Sequence, residues 1–357
     1  MKIGVYDPYL DTLGGGEKYM LTAAACLAKE HEVTVFWDNP EIAKAAKQRF
    51  GIDLSHISFT KNIFNPQVPL WERIFQSMQY DRIFYLSDGS IPVVFPKKLF
   101  LHFQFPLEWV KGKSLGNSLK MQHVAGVICN SQFTKKFIDK TFTIDSTVLY
   151  PPSTGEFSKN KDIKKENIIV TVGRYGRLSD STSFKKQEFM IETFKKMLKN
   201  GLEQWKFILV ISFKENDKVY IEELEKSIKG LPIEIIKNAD SIILQDLYRK
   251  AKIYWHAAGF GEDLEKHPEL AEHFGIATVQ AMEQGAVPVV LNAGGQIEIV
   301  NESENGLLWS SQEECIEKTE KVIKDKKLWE KLSNNAEKKA EEFTVNKFCQ
   351  NLSAIMQ

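Results

Sequence analysis

Residues 272–300 read "EHFGIATVQAMEQGAVPVVLNAGGQIEIV". Gly275 opens a helix in which Ile276, Val279 and Met282 recur at helical spacing, so the three share one face for burial. Gly285 stops that helix, because a residue without Cβ takes the left-handed conformation at little cost. The apolar run "AVPVVLN" follows at once and reads as a buried strand, and a Gly-Gly turn leads on into "QIEIV". Helix, strand and turn in this order form the repeat of a parallel α/β sheet. The first N–H groups of the helix lack intrahelical partners and carry the positive end of its dipole, so they suit an anionic ligand.

The same alternation extends outward from this stretch. "NIIVTVG", "KFILVIS", "IEIIK" and "KIYWHAA" precede it as strands, with helices between them. An earlier series holds "KIGVY", "EVTVFW", "RIFYL", "KLFLHF", "AGVICN" and "TVLY", with helical spacing over residues 18–29 and 131–140. Between the two series lies "PPSTGEFSKNKDIKKEN", rich in Pro, Ser, Lys and Asn, which reads as a linker. The tail, residues 326–357, is helical and charged. Two parallel sheets, each with helices on both faces, are therefore expected around one linker. Ligands of open α/β sheets sit beyond the carboxyl ends of the strands, so a cleft between the two lobes is the expected site.

A length of 357 residues suits two domains, and 47 Lys plus Arg balance 47 Asp plus Glu, so no global charge calls for nucleic acid. The charge is uneven, however. Residues 97–140 hold eight lysines against Glu108 and Asp139. This surplus reads either as solvated lysine faces or as a surface for a phosphorylated or membrane-borne partner. Cys26, Cys129, Cys315 and Cys349 are scattered without a close pair, which predicts reduced thiols in a cytoplasmic protein. The first residues, "MKIGVYDPYL", read as a strand and not as a signal peptide, and no apolar run reaches the roughly 20 residues of a spanning helix.

Three further stretches carry chemistry. "YDPYLDTLGGGEKYM" sets three glycines between the first strand and a helix, where backbone can approach a phosphate closely. Asp38 lies where a dinucleotide-binding fold would hold a ribose, but Tyr19 occupies the last glycine position of that fingerprint, so a dehydrogenase is disfavoured. "VTVGRYGRLSDSTSFKKQEF" brings Arg174 and Lys185 together, a two-pronged donor and a point charge suited to a diphosphate. "AAGFGEDLEKHPELAEHFG" contains His256, His267 and His273 at spacings that match no metal motif, and reads as a ligand-facing loop.

Together these stretches resemble the family 4 retaining glycosyltransferases of GT-B fold. "VGRYGR" with Lys185 resembles that family's Gly-Arg…Lys diphosphate clamp, and "EHFGIATVQAMEQGAVPVV" with "GGQIEIV" and "NGLL" resembles its E-x7-E region. "GGGEKYM" resembles the glycine loop near the donor phosphates, and "FLHFQFP" the strand that brings a histidine to the donor sugar. "ICNSQFTKKFI" and "VLYPPS" resemble the run into the linker. The resemblance implies two Rossmann-like domains facing across a cleft: an acceptor domain over residues 1–155 and a nucleotide-sugar domain over 156–339. A last helix, about 340–357, should pack back on the first domain.

The resemblance also implies a metal-independent, hexosyltransferase-like enzyme with no cofactor beyond its donor substrate, a UDP or GDP sugar. Its acceptor would be a glycan, a lipid-linked molecule or another acceptor, with room for a peripheral membrane contact. His102, Glu272, Arg174 and Lys185 are the implied catalytic residues. Gly15, Gly16, Phe274, Gly275, Ile276 and Gln280 join Arg174 and Lys185 in holding the donor. The departure is Gln280, where the family has its second glutamate. Its amide can still bond a ribose diol but lacks charge assistance. A nucleotide-sugar-binding protein without catalysis, a sugar-nucleotide epimerase and a phosphorylase of the same fold remain the alternatives.

Overall fold

In both halves of the chain the strands are apolar on both sides, a pattern that only a sheet covered by helices on each face can bury. The computed structural model describes residues 1–108, 110, 112–154, 163–176 and 183–357. Part of the linker, Lys111 and the stretch 177–182 lie outside the described residues. The chain divides into two compact units, Met1–Pro152 with Val345–Gln357, and Ser153–Thr344.

The first unit runs β1 (Lys2–Tyr6), α1 (Gly15–Leu27), β2 (Glu32–Phe36), α2 (Ile42–Phe50), β3 (Ser58–Thr60), α3 (Leu70–Ser77) and β4 (Arg82–Leu86). It continues with β5 (Lys98–Phe103), α4 (Leu115–Met121), β6 (Val124–Cys129), α5 (Gln132–Phe142) and β7 (Thr147–Val148). The strands form one sheet in the order β3-β2-β1-β4-β5-β6-β7, with every pairing parallel. Alternation along each strand builds a core on each face. Ile3, Val5, Phe84, Phe100 and Ile128 enter one, and Tyr6, Ile83, Tyr85, Leu101 and Val127 the other.

The second unit repeats the plan with β8 (Glu166–Arg174), α6 (Gln187–Lys199), β9 (Lys206–Ser212), α7 (Lys218–Ser227), β10 (Ile233–Lys237) and α8 (Ser241–Lys250). β11 (Ala251–His256), α9 (Ile276–Glu283), β12 (Val287–Leu291), α10 (Gln296–Ile299), β13 (Leu307–Trp309), α11 (Gln312–Lys324) and α12 (Lys326–Ala340) complete it. Its parallel sheet has the order β10-β9-β8-β11-β12-β13. In each sheet the strand order reverses once, between β1 and β4 and between β8 and β11, and these switch points are where such sheets bind ligands.

Two strands were absent from the sequence reading, β3 and β13. Each is a three-residue strand at or next to a sheet edge, too short for a periodic signal. The final helix, α13 (Val345–Ile355), belongs to the first unit and lies against α1, where Phe348 meets Tyr19 edge-on at 4.9 Å between ring centroids. This packing corrects the cysteine reading. Cys26 on α1 and Cys349 on α13 form a disulfide across 323 residues, and only Cys129 and Cys315 are free. Proximity created by the return of the last helix cannot be read from cysteine spacing, and the thiols no longer speak for a cytoplasmic location.

Candidate active site

β8 ends in Gly173 and Arg174, and its neighbour β11 ends in His256, so both strands deliver side chains to the switch point of the second sheet. Glu272 gathers them. Its Oε2 accepts from Lys185 Nζ at 2.6 Å and from His256 Nε2 at 2.7 Å. Since a carboxylate only accepts, His256 carries its proton on Nε2. Burial holds His256 below its ordinary pKa despite that bond, so the ring is neutral at pH 7. Burial alone would raise the Glu272 carboxyl, but the Lys185 charge and the His256 hydrogen bond outweigh it and hold the group well below the usual carboxylate range.

Lys185 reaches Glu272 across Gly173, where an added Cβ would stand 3.0 Å from the lysine Cγ. The next residue, Lys186, takes a left-handed φ of 56° at the start of α6 and pairs with Glu262 at 2.5 Å. That reversal sends two adjacent lysines to different acids. Arg174 is exposed and forms no ion pair with a described residue. The three histidines also separate: His256 faces Glu272, whereas His267 and His273 both turn to Glu269, at 3.2 Å and 3.1 Å.

The two halves of the "EHFG…GGQ" stretch lock together through backbone. Gly295 N–H donates to Glu272 O at 2.7 Å, and a Cβ on Gly294, whose φ is 61°, would lie 2.4 Å from that same oxygen. Gly275, at φ 117°, leaves α9 open, and a Cβ there would meet Gln296 Nε2 at 2.6 Å. Gln296 is fully buried, and neither its Oε1 nor its Nε2 has a partner among the described residues. Phe274 turns its ring into the core against Phe343, Ile276 is half-buried, and Gln280 is 9% exposed. Phe274 therefore offers its backbone and not its ring to a ligand.

In the first unit Gly15 and Gly16 form the first turn of α1, where the Glu17 carboxylate reaches back to the Gly14 N–H. Gln104, two residues beyond His102, donates from Nε2 to Gly16 O at 3.1 Å and takes the space a Cβ on Gly16 would need. His102 itself, expected at the donor sugar, is 0% exposed. Its ring stacks on Tyr19 at 4.2 Å, and Nδ1 lies 3.1 Å from Ile128 O. Burial pushes its pKa down to about 3, so it is neutral. Asp7, at the end of β1, is also buried, with Oδ1 accepting from Tyr9 N–H at 2.8 Å and its pKa raised by burial to about 8.

The structure thus brings Lys185, Glu272, Gly275 and the end of β8 into one constellation in the second unit, and places Gly15, Gly16 and His102 together in the first. The sequence reading missed His256 as a partner of Glu272, and missed Gln104, Gln296 and Asp7. His256 was in view, at the end of "KIYWH", but only the strand order shows that this end lies beside the last residues of β8.

The family model described as Glycosyl transferases group 1 matches residues 153–339. The chain belongs to that family. Among curated relatives of this group 1 glycosyltransferase is a probable sucrose-phosphate synthase of Thermosipho melanesiensis, 31% identical over 212 residues. The match covers 57% of this chain and 44% of the relative, so the chain spans less than half the length of that protein. Similar solved structures include Anabaena HepE in complex with UDP-glucose, with a TM-score of 0.69 at 19% identity over 100% of this chain and 99% of that one. Sucrose-phosphate synthase from Thermosynechococcus elongatus gives 0.70 at 15% identity, covering 100% and 98%. A glycosyltransferase from Rickettsia africae gives 0.73 at 14% identity, also covering 100% and 98%. These likenesses establish the GT-B fold, with its two Rossmann-like parallel sheets, and nucleotide-sugar binding accords with the family.

Proposed function

We propose that the protein is a retaining glycosyltransferase that moves a hexose from a nucleotide-diphosphate sugar to an acceptor hydroxyl. The observation that carries this reading is the Lys185–Glu272–His256 cluster at the carboxyl ends of β8 and β11, inside the family-matched region. Lys185 and Arg174 offer positive charge to a departing diphosphate, the role a metal plays elsewhere, and preorganised charge of this kind stabilises a transition state. Glu272, held ionised, accepts from hydroxyls of the donor sugar, and neutral His256 fixes its orientation. The backbone amides of Phe274, Gly275 and Ile276 receive phosphate or sugar oxygens at the start of α9, and Gln280 serves the ribose. Within the first unit, Gly15 and Gly16 give the start of α1 backbone amides suited to an anion. His102 is reassigned: sealed beneath α1 against Tyr19, it positions the glycine turn instead of lining the sugar.

The second unit takes the donor role in this reading and the first unit the acceptor role. HepE was solved with UDP and with UDP-glucose, which favours a UDP-type donor here, with GDP as the other candidate. The acceptor is a glycan, a lipid-linked molecule or another hydroxyl-bearing acceptor. The test is incubation with UDP-glucose, UDP-galactose or GDP-mannose, with nucleotide release and the anomeric configuration of the released sugar followed by proton NMR. Release with retention supports the proposal. Donor binding without release makes this a binding protein, and conversion of the sugar while still attached to its nucleotide makes it an epimerase.

A further inference from the structure

Helices that cover a sheet normally turn their apolar side inward, and α3 does the reverse. Trp71, Phe75 and Met78, at the i, i+4 and i+7 positions of one helical stripe, are 71%, 67% and 60% exposed. The opposite side is anchored. Arg73 donates to Ile63 O at 2.9 Å and to Asn65 O at 3.3 Å, and Ser77 is buried. Further apolar side chains are exposed beyond the helix. Phe95 is exposed, its N–H bonds Ser77 Oγ at 3.0 Å, and its ring meets that of His123, just beyond α4, at 5.5 Å. On α4, Leu115 and Leu119 repeat the pattern one turn apart, both largely exposed. Single exposed apolar side chains are ordinary, whereas three large ones along one helix face mark a contact surface.

The charges around this group select its partner. Glu72 on α3 is neutralised by Lys61 at 3.1 Å, and Asp81 by Lys97 at 2.6 Å. Lys113 and Lys120 flank the α4 leucines, and residues 109–124 contain no Asp or Glu. An apolar ridge of Trp, Phe, Met and Leu edged by lysines is what a helix lying in the headgroup layer presents, with the rings in the acyl boundary and the cations at anionic phosphates. We propose that the α3–α4 face of the first unit docks on an anionic lipid bilayer. The docking deepens the acceptor part of the transferase reading, because it would hold the acceptor-side unit against the surface that carries a lipid-linked acceptor. Binding is measured without donor or acceptor, so its failure and the failure of the transferase reading are told apart.

The experiment is co-sedimentation of the whole protein with vesicles of equal parts phosphatidylglycerol and phosphatidylcholine, and with phosphatidylcholine alone. Wild type is expected to bind the anionic vesicles and to leave them as salt rises, since salt screens the lysine term. The double variant Trp71→Glu/Phe75→Glu should lose at least about tenfold in partitioning, because it removes the two exposed rings that would enter the acyl boundary and adds two charges facing anionic headgroups. Lys113→Gln/Lys120→Gln should lose several-fold and flatten the salt dependence. Trp71, Phe75 and Lys113 are exposed and Lys120 is half-buried, so unchanged melting curves confirm that the variants fold. Absence of binding at low salt, or equal binding by wild type and the double glutamate variant, overturns the proposal. So does a wild-type dimer that the glutamate variant makes monomeric without any vesicle binding, which would make the face a self-association surface.

Discussion

Replacing Glu272 by Gln keeps the shape of the cluster and removes its charge. In the wild type the carboxylate accepts from Lys185 at 2.6 Å and from His256 at 2.7 Å, and the side chains of Lys185 and Glu272 are only 20% and 19% exposed. Each hydrogen bond to a charged group contributes about 1.5–3 kcal/mol against about 1 for a neutral one, so the exchange loses about 1–4 kcal/mol over the two bonds. For a unit of about 150–250 residues, 1 kcal/mol moves Tm by about 2–4 °C, so a fall of several degrees is expected at pH 7. The difference should depend on pH in one direction. A carboxyl whose folded pKa is depressed stabilises fully above its unfolded value, and that stability disappears as pH falls through the folded value. The wild-type advantage should therefore hold from pH 7 down to the ordinary glutamate range and shrink below it. Calorimetric melts of wild type, Glu272→Gln, Lys185→Met and the double variant give the coupling between the two groups. Additive losses, or an advantage that does not change with acidification, would refute the ion-paired cluster.

Lys185→Ala and Arg174→Ala should each cut turnover by about 10²-fold or more while the fold persists, measured as nucleotide release at saturating donor; full activity in either variant removes that residue from the diphosphate site. Gly294→Ala places a Cβ 2.4 Å from Glu272 O at a φ of 61°, so left-handed strain and overpacking together should cost about 2–5 kcal/mol in denaturant unfolding. Cys349→Ser opens the link between α13 and α1 and should lower the stability of the first unit by about 2–5 kcal/mol, whereas an unchanged melt would mean that packing alone holds the last helix.

What the sequence disclosed is what repeats locally. Strands of five or more apolar residues, such as those around Val5 and Val170, announce themselves by run length, and the glycines at 275, 285 and 294 by the turns they must make, each with positive φ. The parallel order of the sheets follows from the alternation of elements. What it hid depends on residues distant in the chain. The Cys26–Cys349 bond requires the last helix to return to the first. The contact of His256 with Glu272 requires β11 to lie beside β8, a consequence of crossover order that no spacing encodes. Burial was hidden for the same reason. "FLHFQFP" promises a histidine at a strand end, but the neighbours that enclose it, Tyr19 on α1 and Phe84 on β4, come from other elements.

The exchange at position 280 makes physical sense once burial is known. A carboxylate that is nearly enclosed needs a cationic partner, because desolvation otherwise costs several kcal/mol or forces the group to protonate. The second unit supplies that partner to Glu272, and Lys185, the cation that serves it, is already engaged there. Its neighbour Lys186 is committed to Glu262. Gln280 sits at 9% exposure on α9, whose Val279, Ala281 and Met282 are fully buried. In the proposed transferase, an amide there keeps an acceptor and a donor for a diol without asking the site to stabilise a second negative charge beside a diphosphate. The cost is the charge assistance a glutamate would give to the ribose. In that proposed role the positive end of α9 and the Lys185–Glu272 pair would carry the electrostatics, and position 280 would be left to shape and hydrogen bonding.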